Sequence, residues 1–409
     1  MPESRRFPPP DDRRFAQVLR VWRANGLGSG TIANYARWVR RFVEDRRRRG
    51  RDPDGDLTLR AVVRFVGTWT RPYGGTSEVA MRNAPSALRA WSWGLAACGH
   101  AVPTWRPLRR PRSALPPLLR EFAEYRRSVC GVAASSTTVE LAAVSRFVAF
   151  LRARDRSPVR VRLVDVDAYV VASCGRLAPR TVQSVGCSIR AFLRFLYASG
   201  RMRHELAAAV TVPMRRRDAL PPRALPWEDV RRVLAAIDRS TRFGLRDHAL
   251  LLTMATYGLG AGEAFALRLD DVDWRRGEFR VVRPKTGREI VLPLLGPVAR
   301  SLAAYLRRAR PRHTSSRAVF VQMHAPFGPL RTAGAAGAVL QKHAHAAGVS
   351  APYLGSHALR HSHATRQIDL GASAKVVGDI LGHVRPDSTS RYVRVALRRL
   401  RGLALPVPS

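Results

Sequence analysis

The chain has 409 residues, enough for about two to four domains. Hydrophobic residues make up 46% of it, which excludes a disordered basic polymer and allows real cores. Basic residues outnumber acidic ones 71 to 30, for a formal net charge of +41, and such an excess calls for a polyanionic partner, with nucleic acid the best fit.

Only three of the basic residues are lysines: Lys285, Lys342 and Lys375. Coding bias accounts for arginine in place of lysine, but not for the excess of bases over acids. Cys98, Cys130, Cys174 and Cys187 are scattered without a C-x-x-C pair, so neither a zinc module nor a disulfide framework is indicated. The N-terminus MPESRRFPPPDDRR has no apolar signal region, and no run of about 18 apolar residues occurs. A cytoplasmic, nucleoid-associated protein with no membrane partner is expected.

In chain order, residues 1–14 read as a flexible arm. Residues 15–100 read as an N-terminal helical domain. Phe15, Val18, Leu19 and Trp22 recur at helical spacing, and Thr31 is placed to cap a second helix. A third helix is expected over about Leu57–Thr70. A fourth is expected from Ser77 to Cys98, with Pro85 marking a kink or a later start. Arg46–Arg49 and Arg51, with Trp38 and Trp69 taken as exposed, suggest contact with DNA. The Pro- and Arg-rich stretch 101–117 is a linker.

Residues 118–212 repeat a four-helix plan. RAWSWGLAACGH (89–100) lies against RAFLRFLYASGR (190–201), which favours an internal duplication. A second linker covers 213–226. From 227 to 409 the pattern is mixed: WEDVRRVLAAID and LRDHALLLTMATY are helical, GEFRVVRPKTGREIVLPL reads as a β-hairpin, AVFVQ as a short strand, and the rest as helices.

The stretch HALRHSHATRQIDLGASAKVVGDILGHVRPDSTSRY runs from His357 to Tyr392. His357 and Arg360 are three residues apart and share a helix face. Gly382-His383 follows an apolar run where a C-cap glycine is expected. Tyr392 comes nine residues after His383. Cations, imidazoles and a phenol gather here without cysteine or well-spaced acids. The set suits an anionic oxygen centre better than a metal.

With Lys285, His357, Arg360, His383 and Tyr392 in this order, the chain resembles the tyrosine recombinases, the phage integrase family. The motifs are H-x-L-R-H at 357–361, L-G-H at 381–383 and the tyrosine after them, and the resemblance covers about 115–400. It implies a mainly α fold with a small antiparallel β-sheet in the C-terminal domain. A helical SAM-like core-binding domain would precede the catalytic domain, with the N-terminal helical domain as an extra. It also implies site-specific cleavage and rejoining of double-stranded DNA through a 3′-phosphotyrosyl link, without cofactor or metal. Tyr392 would be the nucleophile, Arg360 and His383 donors to the phosphate, His357 a proton-handling group, and Lys285 the acid for the 5′-oxygen. A homo-tetramer, or a hetero-assembly with other recombinases on DNA, would carry the reaction in a phage or mobile element.

One family position differs. The family corner resembling T-G-L-R-x-S-E reads Tyr257-Gly258-Leu259-Gly260-Ala261-Gly262-Glu263 here, so Gly260 stands where the first arginine is expected. Arg268 lies too far along to replace it. Three readings follow: a slow enzyme, a site completed by Arg283 or by a cation from a partner subunit, or a protein that binds DNA and assists partners without cutting. The Gly-rich corner also suggests a backbone-amide cradle for phosphate.

Overall fold

The computed structural model describes residues 12–70, 77–105, 115–213, 224–283, 287–312, 314, 316–325 and 327–382. The chain divides into two compact units, Met1–Leu108 with Pro221–Ser409, and Arg109–Leu220.

In the first unit, α1 (Asp12–Ala24), α2 (Ser29–Arg48), α3 (Leu59–Thr70) and α4 (Ser77–Ala97) form a bundle in which α4 packs on the other three. Its apolar stripe buries Trp22, Phe42 and Phe65 completely. Each such side chain contributes about 1.5–3 kcal/mol, so the bundle has a core of its own. Phe42 meets Phe65 edge-on at 5.3 Å, and the Trp22 indole donates to the Ala90 carbonyl at 3.1 Å.

Several expectations for this bundle change. Helix α2 opens at Ser29, upstream of Thr31. Helix α4 starts at Ser77 and continues through Pro85, because a proline forfeits a single backbone donor while the rest of the ladder holds. Trp38 is not exposed; it is buried with its ring edge-on to Phe65. Arg46 is also buried, held by Asp45 and by Asp56 at 2.9 Å, because a guanidinium can enter a core only when its charge is paired. Arg47, Arg48, Arg49 and Arg51 are exposed, with Arg48 and Arg49 paired to Glu44 and Asp45. The Trp69 side chain lies outside the described residues.

In the second unit, α5 (Pro117–Ser128), α6 (Ala134–Arg152), α7 (Leu163–Cys174) and α8 (Pro179–Ala198) pack with α8 against the other three. Phe122, Phe147, Leu151, Phe192 and Leu193 fill the centre. The chain then returns across α8. Arg190 donates to the Val210 carbonyl at 2.6 Å, and a Cβ on Gly186 would fall 2.2 Å from Val212.

The C-terminal part of the first unit begins with α9 (Trp227–Ala235) and α10 (Arg242–Tyr257), then a short α11 (Ala261–Ala266). Strands β1 (Val272–Asp273), β2 (Glu278–Val282) and β3 (Glu289–Pro293) form one antiparallel sheet in the order β1-β2-β3. Val281 pairs with Ile290 in the β2–β3 hairpin. Helices α12 (Gly296–Arg308), α13 (Ala333–Ala346), α14 (Ala358–Asp369) and α15 (Ala374–Leu381) follow. Helix α10 packs on α12 and α14. A buried polar link joins it to α13, where Asp247 takes Arg246 at 2.9 Å and His343 at 2.9 Å. The expected strand AVFVQ is not one. Ala318 and Val321 form isolated bridges, to Arg268 and Pro329, while Val319, Phe320 and Val321 are fully buried. The segment is held by its apolar burial, with one paired residue on each side instead of a ladder.

The described fold is thus mostly helical with a three-stranded antiparallel sheet. No helix among the described residues is long and apolar enough to cross a membrane.

Candidate active site

Helix α10 ends at Gly258, whose φ of 63° is left-handed. A Cβ there would lie 2.7 Å from both His363 and Leu381. The corner is anchored behind by Tyr257. Its hydroxyl donates to the Pro293 carbonyl at 2.7 Å and accepts from the Leu295 amide at 2.9 Å. The chain then enters α11 at Gly260, where φ is −73° and ψ is 157°.

Glu263 is the hub of the site. Its Oε2 accepts from the Gly260 amide at 2.8 Å and from Arg360 Nη1 at 2.8 Å. Its Oε1 accepts from Arg283 Nη1, also at 2.8 Å. One carboxylate therefore carries two guanidiniums and the entry amide of α11. This corrects the backbone-cradle reading of the corner, because the Gly260 amide is already taken by Glu263.

Arg360 sits in the first turn of α14, one helical turn after His357 at its N-cap. It also donates to the Gly258 carbonyl at 3.1 Å and, through Nη2, to the Leu381 carbonyl. Arg283, at the end of β2, donates to the same Leu381 carbonyl at 2.5 Å and to the Ile380 carbonyl. These carbonyls close α15, where a helix leaves acceptors unpaired and favours cations. Burial lowers the Arg283 pKa; the Glu263 charge raises it, and the neighbouring Arg360 lowers it again. A guanidinium keeps its proton under such shifts.

Helix α15 ends at Gly382 with φ 66°, the left-handed cap expected ahead of His383. A Cβ on Gly382 would lie 2.5 Å from the Arg283 guanidinium. Replacing Gly258 or Gly382 by alanine is expected to cost about 1–3 kcal/mol each, read from urea unfolding. Gly260→Ala is expected to stay within about 0.5 kcal/mol, since its φ is ordinary and its nearest neighbours are 3.6 Å away. Equal stability of all three variants would contradict this packing.

Of the five residues singled out from the sequence, the structure brings His357 and Arg360 to one corner. A Cβ at Gly260 would lie 3.8 Å from Arg360 and 3.9 Å from His357, so position 260 faces them directly. Lys285, His383 and Tyr392 lie outside the described residues, although Arg283 and Gly382, close to two of them in the chain, meet here. Arg268 is exposed and takes no part. His363 is buried beneath the corner, with its Nδ1 3.1 Å from the Ala255 carbonyl. Burial lowers its pKa, the Ala255 carbonyl raises it, and Arg360 lowers it further, so the ring is neutral at pH 7. The central role of Glu263 was missed. The available signal was its place three residues after Gly260, the position from which an acidic side chain caps a helix start.

Fold and site together define a mainly helical protein with a partly buried corner in which two guanidiniums share one carboxylate. Residues 223–399 match the phage integrase family. An integrase/recombinase of Sinorhizobium fredii, y4rA, is 38% identical over 252 residues, covering 62% of this chain and 61% of that relative. The tyrosine recombinase XerC of Mycobacterium tuberculosis is 30% identical over 295 residues, covering 70% of this chain and 96% of the relative. Among solved structures, the XerH site-specific recombinase in a post-cleavage complex with a palindromic difH substrate aligns over 86% of this chain and 96% of its own, with TM-score 0.54 and 14% identity. A lambda integrase dimer bound to a core site gives TM-score 0.53 over 67% of this chain and 93% of its own, at 15% identity. The last two likenesses concern the fold. This chain belongs to the phage integrase family, the tyrosine recombinases, whose members break and rejoin DNA.

Proposed function

We propose that this protein is a site-specific DNA recombinase of a phage or mobile element, acting at the nucleoid through a 3′-phosphotyrosyl intermediate on Tyr392. The observation that carries the reading is Arg360, held by Glu263 beside His357 and bonded to the C-terminal end of α15. The Tyr392 oxygen forms a bond to the DNA phosphorus, and the bond from phosphorus to the 5′-oxygen breaks. Lys285 gives the leaving oxygen its proton. The reverse attack by a 5′-hydroxyl restores the phosphodiester, so the bond energy is kept and no nucleotide is consumed. Arg360 and His383 stabilise the charge that builds on the nonbridging oxygens, and His357 handles the proton at the tyrosine or the phosphate.

Two sites with two strands each call for four active centres, supplied by a homo-tetramer or by a mixed assembly with other recombinases. Solved relatives include a lambda integrase tetramer bound to a Holliday junction. The domain division proposed is 15–100, 118–212 and 227–409, with connectors between.

The test incubates the purified protein with a pool of nicked duplexes of random central sequence and digests the products. A DNA-linked peptide containing Tyr392 supports the reading; its absence, also on duplexes taken from the flanks of the protein's own gene, overturns it. Gly260 favours one second reading, a DNA-binding relative that occupies sites for active partners. That reading expects DNA binding without any adduct.

A further inference from the structure

Arg283 is a buried cation of the site to which the reading above gives no task. Only 6% of it is exposed. Its backbone closes the base of the β2–β3 hairpin: its amide donates to the Arg288 carbonyl at 2.9 Å, and its carbonyl accepts from the Gly287 amide at 2.9 Å. Lys285 lies two residues further along the chain. The guanidinium reaches Glu263 on α11 and the Ile380 and Leu381 carbonyls at the end of α15. It therefore joins the base of the β2–β3 hairpin, the carboxylate that holds Arg360, and the C-terminal end of α15.

Charge makes the same point. A single guanidinium on Glu263 would be neutralised by it, and a neutralised pair is a weak partner for a phosphate. With two guanidiniums on one carboxylate, a positive charge is left over at the corner. Position 260 adds none, since Gly260 has no side chain and its missing Cβ faces Arg360 and His357.

We propose that Arg283 is a positioning residue for strand cleavage: by sharing Glu263 it leaves the charge of Arg360 available to the phosphate, and by gripping the end of α15 it fixes the Leu381 carbonyl that also orients Arg360. This rests on the cleavage reading given above. It assigns to a residue on the hairpin the charge that Gly260 cannot supply.

The experiment measures single-turnover adduct formation, thermal unfolding and DNA binding by gel shift, on the same nicked duplex pool. Arg283→Met is expected to slow adduct formation by about a hundredfold while DNA binding persists. Arg283→Lys, which keeps the charge and one point of contact, is expected to fall between the two and guards against simple misfolding of the Met variant. Adding Gly260→Arg to Arg283→Met returns a guanidinium beside Arg360 and His357, and is expected to recover about tenfold or more. That recovery is the readout a purely structural role would not move. Wild-type cleavage rates in Arg283→Met overturn the inference alone. So does a loss that tracks thermal unfolding and is not recovered by Gly260→Arg. Absence of any adduct in the wild-type protein overturns the cleavage reading and this inference with it.

Discussion

Arg360→Met is expected to slow adduct formation by about 10²–10³-fold, or about 3–4 kcal/mol of transition-state stabilisation. The planar fork of arginine is the group best matched to two oxygens of one phosphate, and here it is already oriented. Glu263, the Gly258 carbonyl and the Leu381 carbonyl fix it from one side, so little reorganisation accompanies the reaction. Stability should fall much less. Glu263 keeps Arg283 and the Gly260 amide, the Leu381 carbonyl keeps Arg283, and the loss is that of the Gly258 carbonyl left short of a donor, about 1–3 kcal/mol. Single-turnover cleavage beside urea unfolding separates the two effects. Cleavage as fast as wild type would remove Arg360 from the reaction.

The largest loss of stability is expected from Glu263→Ala. Two guanidiniums then face one another with no counter-charge, with side-chain exposures of 7% for Arg283 and 13% for Arg360. Removing one partner of a buried ion pair costs about 3–5 kcal/mol, and here the one deletion unpairs two cations and uncaps α11. Glu263→Gln keeps an acceptor while removing the charge, so it should be milder. The order alanine, glutamine, wild type in unfolding midpoint is the expected result. Alanine and wild type with equal midpoints would show that the two arginines do not depend on this carboxylate.

Much of the fold was legible because helices announce themselves locally. The apolar spacing of Phe15, Val18 and Trp22 marks α1, and the left-handed Gly382 at the end of α15 was visible as a glycine after an apolar run. Local signals misjudged the surface in two places. Trp38 and Arg46 stand in a polar, arginine-rich stretch, yet both are buried. One packs edge-on against Phe65 of α3, and the other is paired with Asp45 and with Asp56 from the following loop. The run AVFVQ has the composition of a strand but lacks the neighbours to make a ladder.

The sequence by itself proposed the members of the site: a lysine in an arginine-rich chain, the H-x-L-R-H and L-G-H motifs, the following tyrosine, and the glycine at position 260. Order and spacing along the chain carry that information. Only the tertiary structure decided how the corner is held. Glu263 meets Arg283 across 20 residues and Arg360 across 97, separations at which side chains become neighbours only after the sheet and three helices have packed. A carboxylate shared by two arginines leaves no periodic trace in a sequence, because its geometry belongs to no single element.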